Sequence, residues 1–126
     1  MSVSHTPRVL IVEDEPMIIF MLEDLLTEAG FEIAGVATTL ESALSLIETC
    51  TFDAVLLDSN LAGVSSAPVA LTLSARAIPF LVVSGYATSQ QSAAYSGGVH
   101  ISKPFEPKAL IEALASILPG FKIVHS

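Results

Sequence analysis

Positive charge is scarce in this chain. Five Lys and Arg stand against thirteen Asp and Glu, a formal net charge of −8. Nucleic-acid binding needs clustered cations to neutralise phosphates, and no cluster exists, so nucleic acid is excluded as a partner. The one cysteine, Cys50, rules out an intrachain disulfide and fits a reducing, cytoplasmic setting. No run of about 18 residues is both strongly apolar and uncharged, so no membrane-spanning helix is expected. Residues 1–7 are polar and lack the apolar stretch of a signal peptide. Charge is also missing regionally. Eleven of the thirteen acids precede Ser59, whereas residues 59–102 carry only Arg76. That neutral stretch reads either as an apolar partner-binding face or as a side whose solubility is supplied by the other half.

What remains is dense and apolar: 52% hydrophobic and 14% charged residues in a chain of 126. This amounts to a single domain over residues 1–126, with a core expected at about 8–118 and neither linker nor internal repeat. Short apolar runs alternate with helix-like stretches. Residues 8–12 (RVLIV) read as a buried strand. Pro16 suits a first helical turn, Met17, Phe20, Met21 and Leu25 recur at helical spacing, and Gly30 suits a C-cap. A second strand is expected at 32–36. Thr39 can cap a helix presenting Leu40, Ala43, Leu44 and Ile47 on one face. A third strand covers 53–57, and Ser65 or Ser66 opens a third helix with Pro68 in its first turn. The fourth strand covers 79–83, with proline tolerable only at its start. Residues 88–96 are small and polar and predict only a short helix. A fifth strand covers 99–102. A last helix starts at Pro107, carries Leu110, Ile111, Leu114, Ile117 and Leu118, and stops at Pro119-Gly120.

Five apolar strands separated by helices predict an α/β fold, a doubly wound parallel sheet. With right-handed crossovers, the flavodoxin-like (βα)5 arrangement of strand order 2-1-3-4-5 is the commonest solution. In that order strands 1 and 3 are neighbours at the switch point, where such sheets bind ligands beyond their carboxyl ends. Strand 1 then leads into Glu13-Asp14-Glu15, strand 3 into Asp58, strand 4 into Ser84 and strand 5 into Lys103. Carboxylates gathered at adjacent strand ends repel one another unless a cation sits between them. A hard dication with oxygen ligands answers this, and Mg²⁺ takes one or two carboxylates together with phosphate oxygens. Lys103 adds a point charge and Ser84 a hydroxyl donor. The set suits a carboxylate nucleophile that attacks a phosphoryl group.

The segments VLIVEDEP at 9–16, AVLLDSNLAG at 54–63, PFLVVSGYA at 79–87 and ISKPF at 101–105 carry a resemblance to bacterial response-regulator receiver domains. It extends over nearly the whole chain, from about residue 8 to 118. The resemblance implies that Asp58 is the phosphoacceptor. It implies that Asp14 and Glu13, Asp58 itself and the backbone carbonyl of Asn60 hold Mg²⁺. Ser84 stands at the switch hydroxyl position, Lys103 at the family's lysine, and Lys103–Pro104 at its cis peptide. His100 occupies the aromatic switch position three residues before the lysine. The loop after Asp58 lacks the usual Met-Pro and Asp-Gly pairs. Ser-Gly-Tyr at 84–86 resembles a single-domain subgroup with a Phe-Ala-Thr-Gly-Tyr motif, in which Tyr86 would be a motif residue.

Two functions are carried forward. The first is a stand-alone receiver, not a turnover enzyme. It takes a phosphoryl group from a sensor histidine kinase or a histidine phosphotransfer protein, and signals by docking or serves as a phosphate intermediate or sink. The alternative is a receiver-shaped docking module that works without phosphorylation. A small phosphohydrolase is disfavoured because Asn60 stands where Asp-x-Asp hydrolases carry a second acid.

Overall fold

The structure, a computed structural model, describes residues 6–85 and 93–118. Its elements follow in the order β1 (Arg8–Val12), α1 (Pro16–Ala29), β2 (Glu32–Ala37), α2 (Leu40–Thr49), β3 (Ala54–Asp58), β4 (Asn60–Leu61), β5 (Val64–Ser65), α3 (Ala67–Ala75), β6 (Phe80–Ser84), a 3-10 turn (Ala93–Tyr95), β7 (Val99–Ser102) and α4 (Pro107–Ser116). The main sheet runs β2-β1-β3-β6-β7, with every pair parallel. Counting only its five strands, this is the expected order 2-1-3-4-5.

Alternation along each strand splits the core into two layers. Val9, Ile11, Leu56, Leu81 and Val83 face α1 and α4, where they meet Leu22, Leu26, Leu110 and Leu114. Leu10, Val12, Val55, Leu57 and Val82 face the other way, onto Ala43 and Ile47 of α2 and Val69 and Leu73 of α3. Strands buried on both faces explain why β1, β3 and β6 read as unbroken apolar runs rather than alternating ones.

The helix signals act locally as expected. Pro16 sits in the first turn of α1, and Gly30 closes it at φ 101°, while the Phe31 N–H returns to the Leu26 carbonyl at 2.9 Å. Thr39 and Ser42 form a reciprocal capping box at the start of α2. Lys103–Pro104 is cis.

Four features differ from expectation. In α1 only Leu25 of the Met17, Phe20, Met21, Leu25 stripe packs inward, while Met17 is 78% and Phe20 74% exposed. Residues 16–22 are apolar almost all round, so the sequence permits two helical phases. Packing against the sheet and α4 selects the face with Ile18, Leu22, Leu26 and Ala29. The largest exposed apolar side chains therefore lie in the acidic half, although Val64, Leu71 and Val99 of the neutral stretch are also exposed. Next, residues 60–65 form a small antiparallel hairpin, β4–β5, whose turn residues Ala62 and Gly63 both have positive φ (53° and 89°). Of the short helix expected at 88–96, residues 93–95 form a single 3-10 turn and 88–92 lie outside the described residues. Finally, α4 ends at Ser116, before Ile117 and Leu118, and its expected Pro119-Gly120 stop lies outside the described residues.

Candidate functional site

Pairing of β1 with β3 aligns Val12 with Leu57, so the next residue on each strand, Glu13 and Asp58, emerges at the same level. Register between β3 and β6 sets Asp58 beside Val83, and β6 with β7 sets Ser84 beside Ser102. Four neighbouring strand ends thus deliver Glu13, Asp58, Ser84 and Lys103 to one edge. These four residues are far apart in sequence, and the sheet brings them together.

Both central carboxyl groups are buried: Glu13 is 1% and Asp58 4% exposed. Carboxylate oxygens of Glu13, Asp14 and Asp58 all lie within 4.8 Å of one another. Lys103 Nζ stands 3.3 Å from Asp58 Oδ2 and 3.7 Å from Glu13 Oε1. Backbone N–H groups add two contacts: Asn60 N donates to Asp58 Oδ1 at 3.1 Å, and Glu15 N to Glu13 Oε2 at 3.1 Å. These do not balance the charge. Burial, followed by the neighbouring Asp58 carboxylate, pushes Glu13 up from its ordinary 4.5 to about 7, although Lys103 and the Glu15 N–H pull the other way. One ammonium among three clustered carboxylates leaves an excess of negative charge. A small hard dication with oxygen ligands fits that donor set, and Mg²⁺ fits a site that is open on its outer side through half-buried Asp14.

Ser84 is buried at the end of β6, and its carbonyl accepts from Lys103 N at 2.7 Å, which ties the lysine's own backbone to that strand end. Asn60 is exposed; its side-chain Oδ1 accepts from Gly63 N at 2.7 Å and so closes the β4–β5 turn. His100 lies on β7 one strand from the site, its Nε2 donating to the Tyr95 carbonyl at 3.1 Å. Its Nδ1 is buried without a partner among the described residues. Tyr86 lies outside the described residues.

Sequence reasoning missed Tyr95 and Ser66. Tyr95 is 4% exposed and Ser66 is fully buried. Ser66 was expected only as a helix opener, and it does occupy the N-cap of α3, but its side chain makes no cap bond. Instead its hydroxyl donates to the Asp58 carbonyl at 2.6 Å. Tyr95 Oη lies 3.1 Å from Ser66 Oγ and 3.1 Å from the Ser59 carbonyl. The signal available in the sequence was a lone aromatic in an otherwise small, polar stretch.

The sheet order and its acidic carboxyl-end edge define a doubly wound α/β protein with a polar site at the switch point between β1 and β3. The family model of the response regulator receiver domain matches residues 9–115, and the chain belongs to that family. Among curated relatives, the chemotaxis protein CheY of Thermotoga maritima is 32% identical over 118 residues, covering 87% of this chain and 96% of that protein. The chain spans about half the length of the transcriptional regulators it also matches, such as MalR of Bacillus subtilis. Among solved structures, SdrG from Sphingomonas melonis Fr1 is 37% identical and superposes with a TM-score of 0.77, covering 91% of this chain and 98% of that one. TrrA of Thermotoga maritima, solved in complex with Mg²⁺ and BeF, is 27% identical with a TM-score of 0.80, covering 90% and 100%. Receiver domains of two-component systems accept phosphate from histidine kinases or phosphotransfer proteins and act as signalling modules rather than as turnover enzymes. No helix among the described residues is long and apolar enough to cross a membrane.

Proposed function

We propose that this chain is a receiver that takes a phosphoryl group from the phosphohistidine of a sensor kinase or phosphotransfer protein onto Asp58, in a Mg²⁺-dependent reaction. One observation carries the reading: Asp58 is a buried carboxylate at the end of a central strand, 3.3 Å from the Lys103 ammonium and clustered with Glu13 and Asp14. A carboxylate oxygen of Asp58 attacks phosphorus, the P–N bond to the donor imidazole breaks, and that nitrogen leaves with the electron pair. Lys103, 3.3 Å from Asp58 Oδ2, would pair with the developing charge, and the Ser84 hydroxyl would donate to a phosphoryl oxygen. Glu13, Asp14, Asp58 and the Asn60 carbonyl would hold the cation, which spreads the phosphoryl charge when bound. Phosphorylation would then shift the balance between two states of the domain.

Residues 8–118 form a single receiver unit on this reading. On the same reading the phosphorylated receiver signals by docking or serves as a phosphate intermediate or sink. Membership of the Phe-Ala-Thr-Gly-Tyr-like subgroup rests on Ser84, Gly85 and Tyr86, and a cytoplasmic setting rests on Cys50 and the charge pattern.

The test is incubation with acetyl phosphate and Mg²⁺, read by intact-protein mass. One phosphoryl adduct is expected, and none in Asp58→Asn. An equal adduct in that variant would refute the assignment, and partner binding unchanged in Asp58→Ala would favour the phosphorylation-independent module.

A further inference from the structure

Around the peptide that follows Asp58, hydrogen-bond donors and acceptors converge from three elements. Ser59 N donates to the Val83 carbonyl at 3.0 Å. The Ser59 carbonyl accepts twice, from Ser66 N at 3.1 Å and from Tyr95 Oη at 3.1 Å. One residue back, the Asp58 carbonyl accepts from Ser66 Oγ at 2.6 Å. One residue on is Asn60. Ser66 spends its one hydroxyl proton on Asp58, so toward Tyr95 it can only accept. Tyr95 also has one proton, and two acceptors at the same 3.1 Å compete for it: the Ser59 carbonyl and Ser66 Oγ. The Tyr95 hydroxyl therefore has two settings of equal length: in one the Ser59 carbonyl keeps both of its donors, in the other it keeps only Ser66 N, while Ser65 Oγ lies farther off at 3.4 Å.

The same residue reaches the far strand through its backbone. The Tyr95 carbonyl accepts from His100 Nε2 at 3.1 Å, and the Gly98 N–H returns to it at 3.0 Å. The turn itself is pinned. A Cβ on Gly97 would come within 2.5 Å of Ser74 Oγ, and one on Gly98 within 2.5 Å of the Phe80 ring, so the backbone packs directly on α3 and β6.

We infer that Tyr95 is a positioning residue for the acceptor loop: its hydroxyl sets the peptide that presents Asp58 and the Asn60 carbonyl, and its backbone couples that loop to His100 on β7. The inference rests on the acceptor reading above. It adds a route from the site to the sheet edge that runs through Tyr95 and ends on the His100 side chain, whose Nε2 donates to the Tyr95 carbonyl. Tyr95→Phe keeps the buried ring and removes only the hydroxyl. Ser66→Ala removes the other link and leaves the ring untouched.

Backbone-amide spectra of the full chain test this, first in a Mg²⁺ titration and then with Mg²⁺ and beryllofluoride. Wild type is expected to respond at residues 58–60 and again at 95, 99 and 100. Tyr95→Phe is expected to bind Mg²⁺ about 3–10-fold more weakly, the equivalent of one lost hydrogen bond. It should keep the beryllofluoride response at 58–60 while losing it at 99 and 100. Ser66→Ala should show the same separation. A Tyr95→Phe chain that binds Mg²⁺ as wild type does and still moves residues 99 and 100 would overturn the inference. A wild-type chain silent at 58–60 would overturn the acceptor reading itself, and the intact wild-type response tells the two failures apart.

Discussion

At the amino-terminal ends of β1, β2 and β3, each charged side chain has a hydrogen-bonding partner of its own, and the ion pair there is solvent-exposed. Arg8 meets Glu32 at 2.8 Å, its Nε donates to the Thr51 carbonyl at 2.9 Å, and its backbone N–H donates to Asp53 Oδ2 at 2.7 Å. At the carboxyl-terminal ends of β1 and β3, Glu13 and Asp58 are buried side by side and share one lysine. The strands are equally apolar between these ends, so the fold does not demand the difference. The first edge is complete as it stands. The second is balanced only when something positive joins it, and that is what separates a structural ion pair from a site.

Lys103→Ala should give the largest effect, because it removes the one ammonium within reach of Asp58 among the described residues. The rate of phosphorylation by acetyl phosphate at saturating Mg²⁺ is expected to fall about 10²–10³-fold, the loss typical of one preorganised charge-stabilising donor. Retention of the wild-type rate would mean that the lysine only offsets Glu13. A middle-sized effect concerns pH. The folded protein holds Glu13 at about 7 against an ordinary 4.5, so it favours the neutral carboxyl. That stability is fully present below about pH 4.5 and is lost as pH rises through about 7. Denaturant titrations in EDTA should therefore show wild type losing on the order of 3 kcal/mol relative to Glu13→Gln across that window. Parallel pH profiles would show that Glu13 titrates normally. Arg8→Ala should give the smallest effect: its ion pair is solvent-exposed, so a loss of about 0.2–1 kcal/mol is expected, with Mg²⁺ affinity unchanged. A change in Mg²⁺ affinity would erase the distinction between the two edges.

The carboxyl-end edge was legible in the sequence because each of its residues ends a strand, and strand order follows from few rules. Glu13, Asp58, Ser84 and Lys103 fall at adjacent positions once β1 and β3 are neighbours. Gly30 and Thr39 were legible for a simpler reason: capping is local chemistry. The outward face of α1 was not, because residues 16–22 are apolar on both sides and only tertiary packing chooses between them. The β4–β5 hairpin escaped notice because Ala62, with no glycine-like signature, takes the first positive-φ position of its turn. Tyr95 escaped for a different reason. Its partners, Ser66 and the Ser59 carbonyl, are 29 and 36 residues away and include a backbone oxygen that no sequence motif marks.

The most direct test is the Glu13 carboxyl itself, followed by carbon NMR from pH 4 to 9 (about two units beyond its value on the upper side) with and without Mg²⁺. Without metal its titration should centre near 7, and saturating Mg²⁺ should drive it down toward or below its ordinary 4.5 as the cation takes over the charge. A midpoint near 4.5 in both titrations would contradict the claim that this edge of the sheet is built around a missing positive charge.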